Sequence, residues 1–131
     1  MSFLSKITID DTTLNVLKCS FSFDQGADRT GRPSQRPIGG QIQLLVESTN
    51  KTDFLEWMIS SDMTKDGEIT FFKRDNMSSL KTLKFKDAYC LSYREDFDAV
   101  SDQPLTTRFV ISAKELTVKD TTFTNNWPDK A

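Results

Sequence analysis

Apolar and polar positions alternate with a period of two along most of this chain, the spacing that sends successive side chains to opposite faces of a β-strand. Ile7 and Ile9 close a first short strand. Residues 13–23 predict a longer one, in which Leu14 and Val16 hold one phase and Leu17, Cys19, Phe21 and Phe23 hold the other. A β-bulge produces such a switch, so one is expected near Val16–Leu17. Residues 41–48 place Ile42, Leu44 and Val46 inward and Gln41, Gln43 and Glu47 outward, and residues 69–73 form another strand. The clearest pattern covers residues 82–93, where Leu83, Phe85, Tyr89, Leu91 and Tyr93 share one face with Asp87. The last long strand spans about residues 105–118. There Phe109, Ile111 and Ala113 give way to Leu116 and Val118, a second expected bulge.

One helix interrupts the strands. Asn50 is placed to cap it, Asp53 suits the dipole at its start, and Phe54, Leu55, Met58 and Ile59 follow at helical spacing. Trp57 widens the apolar face, which predicts packing on a sheet edge or opening. Several strands and one short helix predict an all-β fold, an antiparallel barrel of two packed sheets with one short flanking helix, as a single domain over residues 1–131.

The turn-forming residues are unevenly distributed. Of five glycines and four prolines, Gly26, Gly31, Pro33, Pro37, Gly39 and Gly40 all fall within residues 26–40. Residues 24–40 therefore form a long loop between two strong strands, and a loop longer than about 12–15 residues in a compact domain is usually functional or disordered. Ile38 is its only large apolar residue, and Arg29, Arg32 and Arg36 stand against Asp24 and Asp28. Such a loop is built to reach outward.

Composition narrows the function. Leu, Ile, Val and Phe supply 33 of 131 residues, clear of the roughly 20% below which a highly charged chain stays disordered. With 17 Lys and Arg against 19 Asp and Glu, the net charge of −2 argues against general nucleic-acid binding, which needs a basic excess. The chain has no histidine, which removes Ser-His-Asp and Cys-His mechanisms and the commonest zinc ligand. No apolar run approaches the roughly 20 residues of a membrane helix. The N-terminus lacks a signal-peptide pattern, so synthesis in the cytoplasm is expected. Cys19 and Cys90 sit in apolar strand contexts and read as reduced core thiols; two cysteines make no metal site.

Other patterns give way to structural readings. Asp62 to Glu68 resembles the opening of a calcium loop, but Thr64 stands at the third ligand position and Lys73 at the twelfth. It reads as an Asp-Gly turn leading into a strand from Glu68. The sequons at Asn50 and Asn76 carry no weight without an export signal. Glu95, Asp96 and Asp98 read as a solvated strand end and turn, and Lys84 and Lys86 as solvent-facing or as part of a polar lining in an assembly. No catalytic, cofactor-binding or metal-ligating residues are assigned.

The segments TGRPSQRPIGGQI, DFLEWM, DMTKDGEITFFKRDNMSSLKTLKFKDAYC, YREDFDAV and NNW occur in that order along nearly the whole chain. Together they resemble a short-chain branch of the Hcp (haemolysin-coregulated protein, TssD) family, the tube proteins of type VI secretion. The resemblance implies a compact β-barrel of which six copies form a ring. Rings then stack into a tube inside a contractile sheath, working with spike and baseplate proteins and carrying effectors in the lumen. It implies export through that machine without a signal peptide. It also implies that the loop of residues 24–40 joins stacked rings, with Arg29, Arg32, Pro33 and Arg36 as contact residues. The polar second faces of the strands (Lys18, Ser20 and Ser22; Gln41, Gln43 and Glu47; Lys84, Lys86 and Ser92; Thr106, Arg108 and Ser112) suit a solvent-filled lumen or an outer surface equally. Three rival readings stay open at this point. One is the tube protein of a phage-like contractile particle. Another is a small-ligand-binding barrel lined by Trp57, the tyrosines and the phenylalanines. The third is an enzyme using Cys19 or Cys90.

Overall fold

A computed structural model of the chain describes residues 4–48, 53–73, 78–102 and 104–127. In chain order the elements are β1 (Leu4–Ile9), β2 (Thr12–Phe21), β3 (Gln41–Glu47), α1 (Asp53–Ile59), β4 (Lys65–Phe72), β5 (Ser79–Phe97), β6 (Leu105–Val118) and β7 (Thr121–Thr124). The sheet runs β3-β2-β1-β4-β5-β6-β7, and β3 also pairs with β6. That extra pairing closes six strands into an antiparallel barrel, with β7 attached to the end of β6. Closure removes most of the edge that an open sheet would offer to unwanted pairing.

The interior is built from the alternating positions. Ile7, Ile9, Ile42, Leu44, Val46, Ile69, Leu83, Phe85, Phe109, Ile111 and Leu116 are all buried. The bulge expected near Val16–Leu17 is present: Val16 faces Val46 and Lys18 faces Leu45, so Leu17 is the extra residue. It re-phases β2 so that Cys19 and Phe21 turn back toward the core, while Phe23 stays largely exposed.

β5 departs from the single-phase strand the pattern predicts. Leu83 and Phe85 are buried, yet the next inward residues are Ala88 and Cys90, while Asp87 and Leu91 face solvent. Two local irregularities cause this. Asp87 adopts a left-handed backbone (φ 51°), and its N–H donates to the Asp66 carboxylate at 2.8 Å. Aspartate tolerates this conformation better than most residues. A register shift at Cys90–Ser92 then brings Tyr93 back toward the core. The phase switch expected in β6 between Ala113 and Leu116 is also present, but no register shift accompanies it there. Instead β6 changes outer partner, pairing with β3 through Ser112 and with β7 from Glu115 onward.

Gly40 makes that corner possible. Its φ is +89°, a Cβ there would lie 2.8 Å from the Ala113 carbonyl oxygen, and its own carbonyl accepts the Ala113 N–H at 2.8 Å. β4 starts at Lys65 rather than at Glu68, so Asp66 and Gly67 lie inside a strand and no calcium-loop geometry forms. The short β7 was not foreseen. Ser112, expected on a polar outer face, is buried.

α1 follows β3, and its Trp57 is fully buried. The indole N–H donates to the Ala88 carbonyl oxygen at 3.1 Å, and the ring packs against Phe54 and Phe109. The helix thus covers an opening in the wall, as the width of its apolar face predicts. The proposed cap Asn50 lies outside the described residues. Packed in this way, Trp57 belongs to the core and does not line a ligand pocket.

Because every neighbouring pair is antiparallel, the connections sort into two opposite ends of the barrel. The β2–β3 loop, the β4–β5 connection and the β6–β7 turn leave one end. The β1–β2 turn, the segment carrying α1 and the β5–β6 turn leave the other.

Candidate functional site

The β2–β3 connection is an ordered arm. Asp24 and Ile38 exchange two backbone hydrogen bonds (2.9 and 2.6 Å), the Ser34 N–H donates to Gly26 O at 2.8 Å, and the Asp28 N–H donates to Arg32 O at 2.8 Å. Ala27 and Pro33 form a second bridge. The tip turns through Asp28–Arg32, where Gly31 takes a φ of +87° with open space around its α-carbon. One carboxylate oxygen of Asp28 accepts from the Thr30 hydroxyl (2.7 Å), the Thr30 N–H (2.9 Å) and the Arg32 N–H (3.1 Å). The Thr30 hydroxyl bond foremost, then these N–H groups, lowers the Asp28 carboxyl from its ordinary value.

The arm is held by its own backbone and not by a core. Residues 27–38 are all exposed, and Ile38 is 61% accessible. Arg29, Arg32, Pro33 and Arg36 therefore all project from one hairpin at one end of the barrel. At its root Phe23 packs edge-on against Phe21 and Phe123. The Asn125 side chain ties this root down by donating to Gly39 O (3.3 Å) and Ala113 O (2.8 Å).

The outer face of β2, β3 and β6 forms a second distinct surface. Lys18, Ser20, Gln43, Leu45, Arg108 and Val110 line an open hollow of about 400 Å³. Lys18, Ser20, Gln43 and Arg108 are exposed there as alternation predicts, but Leu45 and Val110 share the surface, so this face is polar only in part. Among the described residues no group of three or more metal-ligating acids or cysteines comes together, and no helix is long and apolar enough to cross a membrane.

Neither thiol is set up as a nucleophile. Burial pushes both Cys19 and Cys90 up to about 11, whereas a reactive cysteine needs a lowered value. Burial, aided by a hydrogen bond to Glu95, likewise pushes Tyr93 up to about 12. All three groups keep their protons in the folded chain at pH values where the unfolded chain loses them. Stability is therefore expected to be full below about pH 9, the ordinary thiol value, and to fall as pH rises toward 11 and 12. Urea midpoints at pH 7.5 and pH 10.5 test this, and equal midpoints would refute it.

Comparison with known proteins agrees with this architecture. The family profile "Hemolysin coregulated protein Hcp (TssD)" matches residues 1–128. The solved structure of Hcp1 from Flavobacterium johnsoniae is 41% identical, superposes with a TM-score of 0.89, and is covered over 100% of its length by 94% of this chain. Hcp1 from the E. coli EAEC 042 pathovar is 8% identical with a TM-score of 0.78, covering 96% of this chain and 100% of its own. The sheath/tube terminator of an extracellular contractile injection system, PVC, shares the fold at 19% identity with a TM-score of 0.59, over 88% of this chain and 92% of its own. No curated protein matches the chain. A 41% identical Hcp1 that superposes over nearly the whole chain, and a profile that spans nearly every residue, lead to one assignment: this chain belongs to the Hcp (TssD) family, the tube proteins of type VI secretion.

Proposed function

We propose that the whole chain acts as one tube domain, that six copies close into a ring, and that the arm of residues 24–38 joins each ring to the next. The observation that carries this reading is the arm. A hairpin with three arginines and no buried side chain of its own adds nothing to the barrel's core, so its form is accounted for by contact with another molecule. Arg29, Arg32, Pro33 and Arg36 are the contact residues. The exposed Lys18, Ser20, Gln43 and Arg108 on the outer face of β2, β3 and β6 suit a water-filled lumen through which effectors pass. The chain's role is then structural, with assembly in the cytoplasm and export through its own machine alongside sheath, spike and baseplate proteins.

Native mass spectrometry and negative-stain imaging test the ring directly: a six-copy mass and rings with a central hole are expected, and a stable monomer at high concentration would refute it. Changing Arg29, Arg32 and Arg36 together to Glu is expected to leave the unfolding free energy within about 0.5 kcal/mol of the parent, as for other surface substitutions, while stacks give way to single rings. Normal stacking, or loss of the fold, would remove the arm from the interface.

A further inference from the structure

We propose that opposite charge at the two ends of the barrel sets the polarity of stacking, the cationic arm end of one copy seating on the acidic end of the next copy. This rests on the ring-stacking reading above and adds the identity of the surface that receives the arm.

The net charge of −2 hides a segregation that the topology reveals. At the end away from the arm, the connecting residues carry exposed Asp10, Asp11, Asp62, Asp98 and Asp102, and no Lys or Arg among those described. Of the nearby strand cations, Lys65 is engaged with Asp10 at 2.5 Å and Arg94 with Asp96 at 3.0 Å, while Arg108 lies opposite Arg94 on the outer face of β6. At the arm end the exposed cations are Arg29, Arg32, Arg36, Lys73 and Lys119, against the exposed acids Asp24, Asp28 and Asp120. Lys81 and Lys84 join Lys73 and Lys119 around an open hollow of about 670 Å³ where Glu68 is the one acid among the described residues. Of the acids at this end, Asp28 is taken up by the arm's own turn, and Asp120 accepts from Thr121 at 3.4 Å.

Contact between two like ends would oppose charges of one sign, whereas head-to-tail contact pairs opposite signs. Complementary charge thus selects orientation and excludes the wrong docking. Apolar area accompanies the acids, since Phe97 and Val100 beside Asp98 are 72% and 93% exposed. Each exposed pair is weak, but six copies repeat it around a ring. Such pairs are screened strongly by salt, over a Debye length of about 8 Å at physiological ionic strength.

The test uses two variants of the full chain, Asp11→Lys with Asp102→Lys at the acidic end and Arg29→Glu, Arg32→Glu and Arg36→Glu on the arm. Each alone is expected to form rings by native mass spectrometry but to show at least tenfold fewer multi-ring stacks by negative stain. Mixed one to one, the variants present opposite signs at every junction and are expected to restore stacking in alternating order. Stacking of the parent is expected to fall as sodium chloride rises from 0.05 to 0.5 M. A mixture that stays as single rings, or parent stacks indifferent to salt, would overturn the charge rule while leaving the ring-stacking reading standing. A parent that forms no rings would overturn both.

Discussion

Excising residues 25–37 and joining Asp24 to Ile38 through an Asn-Gly turn is expected to leave the barrel folded and to abolish stacked tubes. Asp24 and Ile38 already exchange both backbone hydrogen bonds, the pairing that a two-residue hairpin loop closes. The excised residues bury no large apolar side chain, and the root contacts of Phe23 with Phe21 and Phe123 remain. Loop-closure entropy changes slowly with length, about 0.6 kcal/mol per doubling, so replacing this loop by a two-residue turn should move stability by no more than roughly 2 kcal/mol. The loss of function is expected to be near complete, because the shortened chain keeps none of the arginines that reach beyond the barrel. Chemical denaturation and negative-stain imaging of the same preparation decide the matter. Tubes as long as the parent's would show that the arm is not the joint. An unfolded product would show that the arm supports the fold.

The other large effect belongs to the core. Trp57→Ala is expected to cost about 3–5 kcal/mol, the usual range for removing a buried aromatic. Natural domains are stable by only about 5–15 kcal/mol. Three losses combine: the indole's buried surface, its packing against Phe54 and Phe109, and the partner of the Ala88 carbonyl. Trp57→Phe separates them, since it keeps an aromatic ring and removes the donor; a cost of about 1–3 kcal/mol is expected for the unpaired buried carbonyl together with the smaller ring. Urea denaturation of the three proteins measures both values. A Trp57→Ala variant as stable as the parent would mean that α1 rests on the barrel without sealing it.

Much of this architecture was legible from alternation alone. The inward set Ile7, Ile9, Ile42, Leu44, Val46, Phe109 and Ile111 was readable because each residue sits in a strand whose two faces differ in environment. The bulge at Leu17 announced itself through a change of phase between apolar residues. The switch in β5 did not, because Tyr89 and Leu91 continue the apolar pattern across Asp87 although Ala88 and Cys90 take the inward positions. A small residue and a thiol give weak hydrophobic signals, and the left-handed turn at Asp87 depends on an Asp66 carboxylate 21 positions away. β7 was missed for a similar reason: Thr121–Thr124 holds one large apolar residue, and its strand form rests on pairing with β6.

The candidate site divides along the same line. Clustered glycine and proline located the arm, and its arginines were plain to read. The acidic end was not, since Asp11 and Asp102 are far apart in sequence and no local pattern links them.

By itself, then, the sequence determined the strand content, most of the core, the short helix with its tryptophan, the position of the arm and, through its resemblance, the family. Those properties are set by local spacing and residue type. Only the tertiary structure decided that β3 closes onto β6, that β5 and β6 change phase together, and that acids from distant turns gather at one end while arginines and lysines gather at the other. Each of these depends on which strands become neighbours, a long-range pairing that no local pattern encodes.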